Sequence, residues 1–531
     1  MRSFNVLDEP CIPVRTVGGE RVRIGLREAC RPGHEIRDFD FPLPSIVIAF
    51  LRLVVAIRMR ALDGPGTIDE WAHLRDNPDE LAALVDEYLD RHYDRFWLFD
   101  EDAPFLQTPG LHTAKGEVSD LAKLIADVPN GERLFAMRSS DSLKRIEPAE
   151  AFWWLVHAQT YDPSGIKSGA VGDPSVKGGK GYPQGVAFGG WLGHLNVEGA
   201  DLPETLLMNL VPRELFANLE PERDVPPWEL PPPDSTHSAR PARGPIDTLT
   251  FPSRRILLHG DSAGVSGVQI SNGDVLSPHN LFDVEPFTAW RYSAPQTKKV
   301  GRDVYMPQEV YPDTQVWRGI AQILPKGGGL PREHPPRDSR LTEFLALLEE
   351  EGYLPPEHPV RIRRVGVIYG SQSSVIDDVI DDDIAVPASL LNPSDLSAAR
   401  LVSDMVSNAS AGVAALHNLS ANLRHAAGGD RVGGDASARG YAALDQPFRQ
   451  WLLRLRPASD LEAERAAWHR EARGILRALA DEYLASAGPA AWRGDLGGSA
   501  RGMDAPRADV YFQAALRKAL PLPEDHQKKV G

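Results

Sequence analysis

The residues best suited by type and spacing to do chemistry are Gly260-Asp261-Ser262-Ala263-Gly264, which fit the G-x-S-x-G nucleophile elbow of serine hydrolases. That motif needs a strand, a sharp turn holding the serine exposed, and a helix whose N-terminus supports the site. Arg255 to His259 can supply the strand, but the following VSGVQISNGDVLSPHN reads as turn and strand, so the required helix is missing. The fifteen histidines have no metal-ligand spacing, and no H-E-x-x-H, EF-hand or G-x-x-x-x-G-K-[ST] pattern occurs. The stretch GGKGYPQG leaves the G-x-G-x-x-G register after Gly181. Neither a metal nor any other cofactor is expected. Two cysteines, Cys11 and Cys30, are too few for a thiolate zinc site and read as reduced structural thiols.

Two further segments carry less specific signals. In KGGKGYPQG (Lys177 to Gly185) the glycines let backbone approach a phosphate or a groove edge closely, and Lys177 and Lys180 add charge. Taken alone, the segment is equally a flexible surface loop. The run Asp377 to Asp383, with five Asp in seven residues, reads as a solvated acidic face.

The elements that must position these residues differ along the chain. Apolar content of helical length occupies 43 to 62, a helix-rich section covers 69 to 96, and a helix is predicted at 148 to 160. The Gly-rich stretch from Ser164 to Gly190 is unsuited to a helix, and 221 to 246 is a Pro-rich extended connection. Beyond it, DTLTFPSRRILLHG and SGVQISNGDVL read as strands, with Asn272-Gly273 predicted as a hairpin turn. VRIRRVGVIYG is a further strand leading into SQSS. From Ser394 the pattern is helical alone, with helices over Ser394 to Ala427, Arg439 to Arg456, Leu461 to Ser486 and Pro506 to Leu520. Four amphipathic helices are most economically buried as a four-helix bundle. The fold class is therefore α+β: a large mixed N-terminal domain of irregular topology (1–390) followed by an all-α bundle (391–531).

The 531 residues include 42% apolar ones, enough for more than one core. No apolar run reaches membrane-spanning length, and MRSFNVLDEP lacks the order of a secretion signal, so a cytoplasmic location is expected. The net charge of −16 argues against a nucleic-acid grip over the whole surface. From Ser394 onward, however, Lys plus Arg slightly outnumber Asp plus Glu, so the acidic excess belongs to the first part. Contacts with nucleic acid should be local there and more general in the helical part.

The order of seven segments resembles the CasA family, the large subunit of the type I-E CRISPR surveillance complex Cascade. They are FNVLDEPCIPV, with Cys11 where that family usually has Trp; APFLQTPG (Ala103 to Gly110); DVPNGERLF; the Gly-rich loop; DTLTFPSRRILL (Asp247 to Leu258); YGSQSS (Tyr369 to Ser374); and the helical C-terminus. The resemblance implies a subunit without a catalytic centre that inspects double-stranded target DNA for the protospacer-adjacent motif (PAM). It implies that Gly178, Gly179, Lys180 and Gly181 lie against the PAM duplex. Gln372, flanked by Ser371 and Ser373, matches a wedge that parts the strands to start R-loop formation. It further implies that bundle arginines Arg424, Arg431, Arg439, Arg449, Arg454, Arg456, Arg470, Arg473 and Arg477 meet the displaced non-target strand. Asn130, Gly131, Arg133 and Phe135 match a loop that meets CRISPR RNA and neighbouring Cascade subunits, the backbone, small and RNA-end-binding subunits among them. The helicase-nuclease is the remaining implied partner. Family members can also reach the PAM with a hairpin lysine near four cysteines. Residues Asp261 to Asn280 have neither, leaving Ser271, Asn272 and Gly273, or Lys298 and Lys299, as substitutes. Two readings of other classes stay open: a serine hydrolase using Ser262, and a scaffold subunit that reads no DNA.

Overall fold

The computed structural model describes residues 2–128, 143–217, 219–312, 314–325, 333–494, 502–523 and 525. The chain divides into two compact units. One is built from Met1–Pro312, Gly329–Leu348 and Arg361–Asp383, the other from Asp313–Gly328, Glu349–Val360 and Ile384–Gly531.

The first unit is centred on α1 (Pro44–Ala61), which starts at a proline whose fixed φ suits the first helical position. It is buried nearly all round, and the arginines inside it are paired. Arg52 donates to both oxygens of Glu285 at 3.0 and 2.9 Å, and Arg58 donates to Cys30 O at 2.7 Å. Unpaired, such charges would cost several kcal/mol (roughly 3–5 for a broken buried pair). Beside it lies α2 (Pro148–Tyr161), with Phe50 and Phe152 edge to face at 5.2 Å. No large sheet organises this unit. Its described strands form small two- and three-stranded antiparallel pieces, so long connections rather than a sheet carry its surface.

The strands that carry or support the candidate residues are β1 (Lys167–Ser168) with β2 (Lys180–Gly181), β3 (His194–Glu198), β4 (Arg254–Asp261) with β5 (Gly264–Asn272), and β6 (Pro359–Tyr369) with β7 (Ile376–Pro387). β7, β6 and β3 form one sheet in that order. Two sequence expectations are corrected here. The β4–β5 turn is at Asp261 to Gly264, and Asn272 lies at the far end of the hairpin opposite Arg254. Gly273 is instead a site of close approach: a Cβ there would lie 2.5 Å from Arg254 N. The acidic run is strand β7 rather than a free solvated face, because β6 sets arginines against it. Arg363 holds Asp381 at 2.6 and 2.7 Å, and Arg361 meets Asp383 at 2.8 Å.

In the second unit α3 (Ser397–Ala426), α4 (Ala436–Leu452), α5 (Leu461–Ala485) and α6 (Ala505–Ala519) make the expected helical bundle. Its centre is aromatic: Phe448 lies 5.2 Å from Trp468 and 5.4 Å from Trp451 between ring centroids. Gly412 of α3 allows a close pass, since a Cβ would sit 2.7 Å from Leu476 Cδ1. The unit also recruits an earlier segment of chain, with the ring of Trp317 tilted 4.8 Å from Phe448 and Arg318 3.6 Å above Tyr441.

Candidate nucleic-acid interface

The Gly-rich segment folds into a hairpin tip. Lys177 and Lys180 exchange both backbone hydrogen bonds at 3.1 Å, leaving Gly178 (φ 58°) and Gly179 (φ 74°) as the two central residues. Positive φ at both positions is the signature of the type I′ turn, which glycine adopts without steric cost. A Cβ on either glycine would meet nothing within 4 Å, so the tip is open to an approaching surface. Lys177 and Lys180 are exposed on its two sides, and neither is in an ion pair among the described residues. Gly169 lies behind the tip because a Cβ there would be 2.7 Å from Gly179 O.

This tip stands on a buried ionic root. Asp162 Oδ2 is 2.5 Å from both Lys167 Nζ and Arg254 Nε, and Arg254 also donates to Gly185 O at 2.9 Å. Burial pushes the Asp162 carboxyl up, but Lys167 and Arg254 outweigh it and hold the group below the ordinary carboxylate value. Burial likewise lowers the Lys167 ammonium. The residues once expected at a hairpin tip act here as props: Ser271 Oγ donates to Ser168 O and Asn272 Nδ2 to Tyr182 O, both at 2.8 Å. Ser175, His237 and Asp173 also converge, a grouping the sequence hides because 62 positions separate Ser175 from His237. It is a staple rather than a catalytic triad. Ser175 Oγ donates to Asp173 at 3.0 Å, and Asp173 faces the same His237 nitrogen, Nε2, that meets the serine.

The second turn joins β6 to β7. Gly370 N donates to Val375 O at 3.1 Å, Ser373 N to Gly370 O at 2.9 Å and Ser374 N to Ser371 O at 3.2 Å. Within it Gln372 (φ 55°) and Ser373 (φ 53°) are both left-handed, which is uncommon for residues with a Cβ. Ser371 and Gln372 are exposed at the tip. Its root is fixed by Tyr369, whose hydroxyl donates to Tyr161 O at 2.8 Å and lies where a Cβ on Gly190 would be. The two turns share foundations. Asp162, Lys167 and Ser168 from the glycine hairpin line one cavity of about 320 Å³ together with Ser374, Val375 and Ile376 from the root of the glutamine turn.

Ser262 lies at the exposed tip of the β4–β5 hairpin, where Asp261 meets Arg145 at 3.2 Å and caps Ala263 N at 2.8 Å. A strand follows it, so the helix of a nucleophile elbow is absent and the hydrolase reading loses its structural basis. Among the described residues no three His, Cys, Asp or Glu gather as a metal site. Lys298 and Lys299 occupy the exposed last turn of a short helix, Ala294–Val300. Asn130, Gly131, Arg133 and Phe135 lie outside the described residues.

The bundle arginines separate into kinds. Arg424, Arg431, Arg470 and Arg477 are exposed, with no ion pair among the described residues. Arg439 is held by Glu482 at 2.5 Å, Arg449 by Asp445 at 3.0 Å and Arg454 by Glu471 at 3.4 Å. Arg456 caps a helix end through Leu453 O and Leu455 O at 2.7 and 2.8 Å. Arg473 must be withdrawn from the surface set. It is buried, donates to Leu520 O at 2.6 Å and pairs with Asp525 at 2.5 Å, pulling that carboxyl down to about 2.

Comparison with known proteins joins these features to a family. Residues 5–479 match the family model for CRISPR-associated protein Cse1. The Cse1 crystal structure from Thermobifida fusca is 40% identical and superposes with a TM-score of 0.88 over 98% of each chain. CasA/Cse1 of Thermus thermophilus is 28% identical over 349 residues, so the matched stretch spans 62% of this chain and under two thirds, 62%, of that relative. A chain of a CRISPR RNA-guided surveillance complex has the same fold at 18% identity, with a TM-score of 0.69 over 98% of this chain and 100% of its own. The chain, with its two exposed turns on a shared root and its helical bundle, belongs to the CRISPR-associated Cse1 family.

Proposed function

We propose that this chain is the large, non-catalytic subunit of a type I-E, RNA-guided surveillance complex in the cytoplasm, where it reads the PAM in duplex DNA and parts the strands beside it. The observation that carries the reading is the pair of exposed turns, Gly178-Gly179 and Ser371-Gln372-Ser373, rising from roots that line one cavity. The glycine tip has no side chain to fend off a groove wall, and Lys177 and Lys180 flank it at positions suited to phosphates. Minor-groove patterns separate little beyond A·T from G·C, so the exposed backbone of Gly178 and Gly179 beside Lys180 suffices for a tolerant reading, while Gly181 is buried against Asn272 and supports the turn from behind. Gln372, on a rigid two-stranded stem, enters the stack at the junction, where unstacking one step costs about a few kcal/mol. Guide pairing then extends the opening.

The rest of the chain serves the same complex. The exposed arginines of the bundle, Arg424, Arg431, Arg470 and Arg477, are the contacts best placed to hold the displaced strand, with Arg439, Arg449, Arg454 and Arg456 exchanging their present partners for phosphates. CRISPR RNA, the other subunits and the helicase-nuclease complete the partners, with Asn130, Gly131, Arg133 and Phe135 toward the RNA. No described helix is long and apolar enough to cross a membrane. The test is Gln372→Ala in the assembled complex on relaxed, PAM-bearing duplex. Assembly should be unchanged and R-loop formation slowed at least tenfold. Equal rates for variant and parent would sink the wedge assignment, and equal binding of PAM and non-PAM duplexes by the assembled complex would leave the subunit a scaffold.

A further inference from the structure

Two large aromatic side chains close to these turns in the chain are exposed: Tyr182 by 54% and Trp191 by 40%. Scattered exposed aliphatics are ordinary, but indole is among the side chains with most to gain from being covered. The location of Trp191 is specific. It ends a short helical turn, Phe188–Trp191, whose Phe188 and following Leu192 are buried in a cluster with Phe251 and Leu276. Phe188 N donates to Ser253 Oγ at 3.0 Å and Ala187 N to Asp162 O at 2.9 Å, so the turn is pinned from both sides. The backbone that presents the exposed ring is therefore fixed.

On one side the indole edge lies against Gly185, where a Cβ would be 3.5 Å from Trp191 Cζ2; Gly185 is on the strand of chain leaving the Gly178-Gly179 turn through Tyr182. On the other side the adjacent Gly190 packs on Tyr369, three residues before Gln372. The exposed indole thus belongs to a segment that packs on the chain leaving the glycine turn and, through Gly190, on Tyr369 at the root of the turn assigned to strand opening. An apolar aromatic face in that position matches one ligand chemistry best: the flat face of a nucleobase that has just lost its stacking neighbour, since every base can stack on an aromatic ring whatever its identity.

We propose that Trp191 is the stacking platform for the first nucleobase unpaired next to the PAM. This rests on the strand-opening reading of Gln372 and adds to it the group that captures what the wedge releases. Capture by stacking is indifferent to sequence, so it raises the opening rate without altering which PAM is accepted.

The experiment uses the assembled complex with Trp191→Ala, Trp191→Phe and, in parallel, Gln372→Ala. The duplex carries 2-aminopurine at the first position beyond the PAM, on one strand or the other. In the parent complex one of the two probes should be quenched by stacking as the pair opens. Trp191→Ala should brighten that probe and slow opening on the order of tenfold, within the range of base–aromatic stacking. Trp191→Phe should retain most of both, and the PAM preference should not move. An unchanged probe signal and rate for Trp191→Ala, with opening slowed by Gln372→Ala, overturns the platform while the wedge stands. Unchanged opening for Gln372→Ala removes the wedge and the platform with it. Loss of complex assembly by Trp191→Ala with a normally folded subunit also overturns the proposal, because the indole would then be covered by a neighbouring protein.

Discussion

Gln372 and Ser373 hold left-handed backbone in a tip that has no tight packing to force it on them. A residue with a Cβ is strained there by about 1–2 kcal/mol relative to right-handed conformations. Glycine would remove that strain, and its own entropic penalty of about 0.5–1 kcal/mol would take back only part of the gain. Gln372→Gly should therefore leave the melting temperature unchanged or slightly raised while abolishing the wedge, measured by thermal unfolding of the subunit and R-loop rate in the complex. A clear fall in melting temperature would mean that the glutamine side chain supports the turn, contrary to its exposure. Both expected results together would make glutamine over glycine a choice of function over local stability. None of this is visible in the letters SQSS, because turn strain depends on the hydrogen bonds Gly370 N to Val375 O and Ser373 N to Gly370 O that close the loop.

At the scale of elements, long helices were legible and short hairpins were not. The apolar stretch at 43 to 62 and the helical tail from Ser394 announced themselves by length and periodicity, and α1 and the bundle follow them within a few residues. The Asn272-Gly273 signal misled because glycine also serves close approach, here of Arg254 backbone, and the true turn at Asp261 to Gly264 was disguised as a hydrolase motif. Asp is normally depleted in strands, and only the register of Arg361 and Arg363 against β7 makes its acidic run tolerable. The glycine hairpin depends in the same way on residues far off in sequence. Asp162→Asn would leave Lys167 and Arg254 buried without their counter-charge, a loss of about 3–5 kcal/mol in the manner of a broken buried pair. Thermal unfolding should register that loss, and amide exchange over 162–185 should quicken. In the parent, the Asp162 carboxyl titrates below its unfolded value of about 3.9, so its contribution is whole above that pH and drains away as pH falls below it. The asparagine variant should lack that part of the acid dependence. Equal acid profiles for the two proteins would place the root of the hairpin elsewhere.

Taken as a whole molecule, the chain carries a net charge of −16 yet is assigned to DNA, and the distribution of charge resolves the conflict. In the first unit the far acidic groups of β7 are partly neutralised by Arg361 and Arg363, and Asp383 lies seven residues beyond Ile376, roughly 20 Å at about 3.3 Å per residue, whereas Asp377 stands at the root of the turn, where a Cβ on Gly370 would be 3.8 Å from its Cβ. The far end lies beyond the screening length of about 8 Å at physiological salt and adds little at the tip, so the repulsion of DNA there is that of Asp377 and Asp378. The attraction at the glycine turn then reduces to two ammonium groups, Lys177 and Lys180, and its salt dependence should be correspondingly small. Each phosphate contact contributes about 0.9 to the slope of log affinity against log salt. Replacing both lysines by alanine should therefore flatten that slope by up to about 1.8 for PAM duplex bound to the assembled complex, with equal effect on strong and weak PAM sequences. On the proposed reading the displaced strand meets the arginines of the other unit, so binding of the finished R-loop should lose far less; substituting Arg424, Arg431, Arg470 and Arg477 should show the reverse pattern, lowering R-loop lifetime and its salt slope while first capture of PAM duplex stays intact. An identical response of both stages to both sets of substitutions would mean that the two units do not divide the work, and that charge along the chain is no guide to the order in which DNA is engaged.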